Sequence, residues 1–256
     1  MTTLGLKIKN VSKSIGGVTI IDGVTAAHFP QGKVSALIGP NGAGKTTLFH
    51  LITGELKPDR GEITYGKKVI SSLPPYAIAR NGVGRLFQDV RIFENLTALE
   101  NVAAACQDPE TETPWFPFLQ FNRLRHIRSK IAEKAAYWID FVGLTDKKTS
   151  VAASLSYGQQ KLLAIARLLA GNKSLLLLDE PTAGLSPVMA RLVIALIAKI
   201  LDEDKDKTIV IVEHNMSVVL EVAYWVYFMH EGKIDRVGRT DHVLGNREIR
   251  ELYLGL

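Results

Sequence analysis

Apolar positions along the chain follow two rhythms. Val34-Ser35-Ala36-Leu37-Ile38, Leu175-Leu176-Leu177-Leu178 and Thr208-Ile209-Val210-Ile211-Val212 are short runs with no polar face. Runs of this kind belong to central strands of a parallel sheet covered on both sides. Between them, Leu162, Ile165, Ala166 and Leu169 recur at the spacing of one helix face, as do Val193, Leu196, Ile197 and Ile200. Ser186-Pro187 ahead of the second group reads as an N-cap followed by proline at the first helical position. Strands alternating with helices predict an α/β core. The N-terminus differs, because Leu6-Lys7-Ile8-Lys9-Asn10-Val11 alternates as a half-exposed antiparallel strand does. Val226-Tyr227-Phe228-Met229 and Ile234, flanking His230-Glu231-Gly232-Lys233, predict a hairpin. The stretch 95–160 has few strand signals and is expected to be mostly helical. Within it, 107–122 carries three prolines and reads as a loop. The charge run 202–207 reads as a solvated turn between helix and strand.

Composition narrows the class. Of 256 residues, 46% are hydrophobic and 22% charged, which is globular and large enough to bury a core. The lone Cys106 excludes a disulfide framework and a cysteine metal cluster. No apolar run approaches the roughly 20 residues of a membrane helix. The Met1 end is polar without a signal-peptide core, so the expectation is a cytoplasmic protein. A net charge of +5 permits an anionic partner and selects none. No basic-aromatic stripe points to nucleic acid, and none is expected as a partner.

The candidate chemistry begins where the first apolar run ends. Gly39-Pro40-Asn41-Gly42-Ala43-Gly44-Lys45-Thr46 fits G-x-x-x-x-G-K-[ST], between a predicted strand and a helix that Thr47-Leu48-Phe49-His50-Leu51 can start. Glycines let successive backbone amides converge on phosphate oxygens, and the helix N-terminus adds partial positive charge. Lys45 supplies a cation to the β and γ phosphates, and Thr46 offers a hydroxyl to Mg²⁺. Gly39 to Thr47 are therefore candidate nucleotide contacts. A phosphate site of this kind needs a buried strand ending in carboxylates. Leu175–Leu178 followed by Asp179-Glu180-Pro181 supplies it. Asp179 is placed to hold Mg²⁺ through water, and Glu180, one residue on, to polarise an attacking water.

Leu155-Ser156-Tyr157-Gly158-Gln159-Gln160, about twenty residues before Asp179, resembles the signature of ABC-type ATPases, usually read L-S-G-G-Q. Leu86-Phe87-Gln88 resembles that family's Q-loop, and Val212-Glu213-His214 its switch histidine. These motifs stand in the family's order over nearly the whole chain. The resemblance implies an α/β fold: a P-loop ATPase core with a parallel sheet, an N-terminal antiparallel β subdomain and an inserted helical subdomain. It implies one ATPase domain over 1–256. Residues 1–94 and 161–256 would form the core with the antiparallel elements, and 95–160 the helical subdomain with the signature at its end.

By position, the resemblance implies that Gln88 contacts Mg²⁺ or the lytic water, and that His214 holds the γ-phosphate and the base. Ser156, Gly158 and Gln159 would meet ATP held by another subunit. It implies Mg-dependent ATP hydrolysis with ATP and Mg²⁺ as cofactors, and Glu180, His214 and Gln88 as the catalytic set. Thr46, Gln88 and Asp179 would be the metal ligands. Three positions depart from the family's pattern. Ile15, before Gly16-Gly17, stands where an aromatic residue usually stacks on adenine. Tyr157 replaces the first signature glycine. Ser186 stands where an Asp is common.

One phosphate loop and one signature imply a second ATPase subunit, identical or related. Val90-Arg91-Ile92-Phe93-Glu94-Asn95-Leu96-Thr97, the LSYGQQ segment, Glu180 to Pro187, Val212 to Met216 and Tyr253-Leu254-Gly255 resemble the ATPases of branched-chain and hydrophobic amino-acid importers. That branch implies transmembrane permease subunits and, indirectly, a substrate-binding protein, with the chain peripheral on the inner face of the membrane. Lipopolysaccharide-export ATPases and soluble cluster-assembly ATPases are the alternatives. Val90 to Phe93 would line the cleft that receives a permease helix. The aromatics Trp115, Phe116, Phe118 and Phe121, followed by Arg123, Arg125, His126, Arg128 and Lys130, have two readings. One is contact with a membrane subunit or lipid. The other, which we favour, is aromatics folded onto the helical subdomain beside a solvated basic helix face.

Overall fold

A computed structural model describes residues 5–106 and 121–245. The chain packs as two units. The first runs to Gln88 and takes up Ser174–Gly184 and the chain from Ala190; the second is Asp89–Lys173 with Leu185–Met189.

The first unit carries two sheets. In one, β1 (Leu6–Ile15) lies between β2 (Val18–Phe29) and, across the short segment β3 (Val34–Ile38) in the chain, β4 (Arg60–Tyr65), which pairs in turn with β5 (Lys68–Val69). All these pairings are antiparallel. The predicted alternation of β1 holds for Leu6 and Ile8, which are buried, and for Lys7 and Lys9, which are exposed. It then slips by one residue. Asn10 has φ 48°, the register with β2 shifts between Ile8 and Val11, and Val11 takes the buried place. An inserted residue at such a bulge restores the apolar phase after a polar pair.

The second sheet has the order β10-β9-β3-β8-β7-β6, with β6 at Val83–Leu86, β7 at Leu175–Asp179, β8 at Thr208–Val212, β9 at Trp225–His230 and β10 at Lys233–Arg239. Strands β6 to β8, β3 and β9 run parallel, and β10 folds back antiparallel on β9 as the predicted hairpin. Every residue of β3, β7 and β8 is buried, as their all-apolar runs predict. The core beneath both sheets joins Leu6, Ile8 and Phe29 to Leu37, Leu177, Val210 and Tyr227. The rings of Phe29 and Tyr227 stack at 4.4 Å.

One expectation in this unit is corrected. The run 202–207 is not wholly solvated. Lys207 is 7% exposed, pairs with Asp204 at 2.9 Å, and its carbonyl accepts the Gly32 amide at 2.8 Å. Folding the turn back onto the start of β3 covers the lysine stem, and the ammonium keeps a carboxylate partner.

The second unit is mostly helical among its described residues, with Ala98–Ala103, Phe121–Phe141 and Tyr157–Ala170 as α-helices. Asn101, fully buried, fixes the entry to the first of these. It accepts the Phe93 amide at 2.8 Å and donates to the carbonyls of Phe93, Leu96 and Thr97. The predicted loop 107–122 is two residues too long, because the helix already starts at Phe121. Trp115, Phe116 and Phe118 lie outside the described residues, as does the Tyr253-Leu254-Gly255 tail. On the described part of the basic run, His126, Arg128 and Lys130 are exposed while Ile127 is buried. Ser186 accepts the Met189 amide at 3.4 Å, which fits the predicted N-cap of helix Pro187–Glu203.

Candidate functional site

The phosphate loop leaves β3 at Gly39. A side chain there would place its Cβ 1.9 Å from the Met229 carbonyl oxygen, so only glycine passes β9 this closely. Gly44, at φ 100°, is equally confined: a Cβ would lie 2.8 Å from Ile21 Cδ1 and 2.9 Å from the Ile20 carbonyl. Strand β2 thus packs directly beneath the turn into helix Lys45–Thr53. That helix has no side-chain cap. Lys45, its first residue, bends back over the loop and donates to the carbonyls of Gly39 and Pro40 at 2.8 Å each. Burial holds the Lys45 ammonium below the usual lysine range, against the opposing charges of Glu180 and Asp179. Asn41, Gly42 and Thr46 are exposed at the loop's open side, Thr47 is half-buried, and Ala43 is buried.

Two carboxylates follow from adjacent residues at the end of β7, and they have different surroundings. Asp179 is the last residue of the strand, opposite Val212 of β8. Its Oδ2 accepts Arg85 Nη2 at 2.6 Å, and both side chains are 4% exposed. Glu180 leaves the strand in the left-handed region, φ 45°, with its amide still on the Val212 carbonyl at 2.9 Å. Such backbone in a non-glycine residue persists only where the surroundings hold it. Its carboxylate meets two of the predicted site residues. Gln88 Nε2 donates to Oε2 at 3.0 Å, and His214 Nε2 lies 3.1 Å from Oε1.

The structure therefore brings together Lys45, Asp179, Glu180, Gln88 and His214 within the first unit. Ile15 stands apart, 47% exposed at the tip of the β1–β2 hairpin, where it pairs with the exposed Val18. The predicted residues Ser156, Gly158 and Gln159 lie in the second unit. Ser156 Oγ accepts the Gln159 amide at 3.4 Å, and Gln159 Oε1 accepts the Ser156 amide at 3.0 Å, a reciprocal capping box. A Cβ on Gly158 would lie 3.0 Å from Met189 Cε. In the same unit Phe93 is 50% exposed, and the Arg167 guanidinium sits 4.6 Å from its ring centroid while also donating to the Arg91 carbonyl.

Two residues of the site had no role in the sequence expectations. Arg85 is one; its only signal was a lone charge inside an otherwise uncharged strand. Glu213 is the other. Only 3% exposed, it accepts both the amide and the hydroxyl of Thr182, at 3.1 and 2.7 Å, and the amide of His214 at 3.3 Å. One carboxylate thereby ties the turn after Glu180 to the residue that reaches Glu180 from the other side.

The sequence profile of the ABC transporter family matches residues 24–183, more than half of the chain. The chain belongs to the ABC transporter family. It is an ABC-type ATPase, with the antiparallel sheet and the larger, mostly parallel sheet of that fold. Among ABC relatives, the high-affinity branched-chain amino acid transport ATP-binding protein LivG of Escherichia coli K12 is 35% identical over 98% of this chain and 97% of its own length. BraF of Pseudomonas aeruginosa, with the same description, is also 35% identical, over 98% of this chain and 97% of its own. The solved ADP conformation of MJ1267, an ATP-binding cassette of an ABC transporter, is 30% identical, covers 98% of this chain and 99% of its own, and superposes with a TM-score of 0.82.

Proposed function

We propose that Gly39 to Thr47, Gln88, Asp179, Glu180 and His214 form the MgATP site of an ATPase that drives uptake of branched-chain or other hydrophobic amino acids. The observation that carries the catalytic part is the double grip on Glu180. Gln88 and His214 each hold one of its carboxylate oxygens, beside a buried lysine that lies across the phosphate loop. In hydrolysis the Glu180 carboxylate takes a proton from water as the water oxygen bonds to the γ-phosphorus and the bond to the ADP oxygen breaks. Gln88 and His214 orient that carboxylate, and Lys45 offsets the phosphate charge.

The donors suit Mg²⁺. They are the Thr46 hydroxyl, the Asp179 carboxylate and the Gln88 amide oxygen, all hard oxygens, and Mg²⁺ is commonly held by one or two carboxylates together with substrate phosphates and water. No group of three or more His, Cys, Asp or Glu side chains among the described residues forms a cage of its own, so the metal would enter with the nucleotide. When bound, it screens charge on the β and γ phosphates.

The amino-acid cargo rests on the relatives, two of which are branched-chain amino acid transport proteins matched along almost their full length. No described helix is long and apolar enough to cross a membrane. Permease subunits would provide the passage, with this chain docked on their cytoplasmic side beside a second ATPase, and a binding protein would deliver the substrate. Ser156, Gly158 and Gln159 would complete the partner ATPase's site, and Ile15 would lie against the nucleotide base.

Glu180→Gln tests the catalytic reading. The amide keeps the shape and loses the base, so ATP binding persists while turnover falls by roughly 100-fold or more, and a closed dimer accumulates in gel filtration with ATP and Mg²⁺. Turnover near that of the wild type removes Glu180 from its role. Leucine uptake by liposomes carrying the reconstituted complex tests the cargo.

A further inference from the structure

Arg85 has no part in the hydrolysis described above, yet its side chain is only 4% exposed beside the site. It stands in β6 opposite Leu177 of β7. Nη2 meets Asp179 Oδ2 at 2.6 Å and Nη1 reaches Glu55 Oε1 at 3.3 Å. The guanidinium carbon lies 4.8 Å from the Phe87 ring centroid and 5.7 Å from that of Phe49, on the helix that follows the phosphate loop. Its Nε is buried without a hydrogen-bond partner.

This is an expensive arrangement. A guanidinium with one donor unsatisfied, in a strand whose neighbours are apolar, carries a desolvation penalty that the ion pair does not reliably offset. An apolar side chain would pack between the two rings at least as well. Stability is therefore a poor reason for an arginine here, whereas its partner suggests a better one. Asp179 is the carboxylate proposed to hold the metal, and its charge reaches Lys45. Lys45 is bonded to Gly39 and Pro40, while Arg85 is the cation directly on Asp179.

We infer that Arg85 is a positioning residue: it pins Asp179 through Oδ2 and cancels its charge, so that the phosphates of ATP can enter before a metal is present and Lys45 stays with the phosphate loop. The inference rests on the MgATP reading of the site. Remove the guanidinium, and a bare carboxylate faces the incoming phosphates and competes with them for Lys45. A divalent metal arriving with the nucleotide supplies the missing positive charge. Arg85 thus matters most for metal-free nucleotide and least for MgATP.

The test is ATP affinity by calorimetry, in excess Mg²⁺ and in EDTA, on the intact chain. Arg85→Gln is expected to weaken metal-free binding by about tenfold or more, the scale of one uncompensated charge a few ångströms away at partial burial, and to weaken MgATP binding by less than about threefold. The ratio of the two affinities is the readout. A residue serving only the fold would lower both alike. Arg85→Lys, which keeps the charge, should leave the ratio within about twofold of wild type. In an Asp179→Asn background, Arg85→Gln should no longer move it. If Arg85→Gln does not fold, Arg85→Met fills the apolar space and carries the same measurement. An unchanged ratio in the folded charge-removing variant overturns the inference, as does an undiminished effect without the Asp179 carboxylate. Failure of the MgATP reading looks different: the wild-type chain then binds ATP under neither condition.

Discussion

Two helices of this chain begin at proposed nucleotide contacts, and they begin in opposite ways. Lys45–Thr53 starts from Gly44 in left-handed backbone, with no side-chain cap and no acidic residue in its first turn. Tyr157–Ala170 starts from Ser156 in extended backbone and satisfies its own end, with Ser156 and Gln159 exchanging bonds. The first end is shaped for an anion at the expense of local helix stability, since a good cap contributes about 1 kcal/mol. The second is complete without a ligand. An anion reaching this end must compete with Ser156 Oγ for the Gln159 N–H, so this end suits a weak, conditional contact. The contrast accords with a nucleotide held firmly by one subunit and only closed over by the other.

The largest expected effect tests the first of these ends. Lys45→Ala removes the cation lying across the loop, and nucleotide affinity should fall by roughly 100-fold, the scale of one or two charge-assisted hydrogen bonds. Calorimetry measures it. The melting temperature should not fall, because the burial that depresses the lysine is relieved. Undiminished ATP binding would break the comparison at its root.

The second effect separates cap from contact. Ser156→Ala loses the cap and should cost about 0.5–2 kcal/mol, seen as a melting temperature lower by about 1–8 °C for a chain of this size. Ser156→Asp keeps the cap and places a carboxylate where phosphate would approach. Its stability should match wild type while ATP-dependent dimerisation is lost. Retained dimerisation in Ser156→Asp would leave this helix start purely structural.

The smallest effect concerns the base. Ile15 offers dispersion contact and no aromatic face, and stacking a base on an aromatic is worth on the order of 1–3 kcal/mol. Ile15→Tyr should gain a few-fold in nucleotide affinity, and wild type should discriminate weakly between ATP and GTP in competition binding. A strong ATP preference in wild type would mean that another group reads the base.

The contrast between the helix starts was partly legible in the sequence. The glycine-rich loop announces itself, because its backbone requirements are local. Ser156 was expected only as a nucleotide contact; its capping box with Gln159 came with the structure. What no local pattern carries is that Gln88 and His214 converge on one carboxylate. The resemblance set His214 on the base, but it gave Gln88 to Mg²⁺ or the lytic water and not to Glu180, 92 residues away in the chain.

The sequence by itself determined the elements whose signals are local. It marked the all-apolar strands β3, β7 and β8, the glycine turn at the phosphate loop, the two adjacent carboxylates and the capped helix start at Ser186. These follow from burial on both faces, backbone freedom and side-chain hydrogen bonding within a few residues. Only the tertiary structure decided what the carboxylates face. Setting β6 beside β7, with Arg85 across from Leu177, delivers a guanidinium to Asp179 from 94 residues away. Setting β7 beside β8 brings Glu213 to Thr182 and His214 to Glu180. Neighbour and register in a parallel sheet are chosen by crossover connections and core packing over the whole unit. No periodicity of the chain carries that choice, so two adjacent acidic residues become a buried, charge-paired carboxylate, the proposed metal ligand, and a partly exposed one, the proposed base.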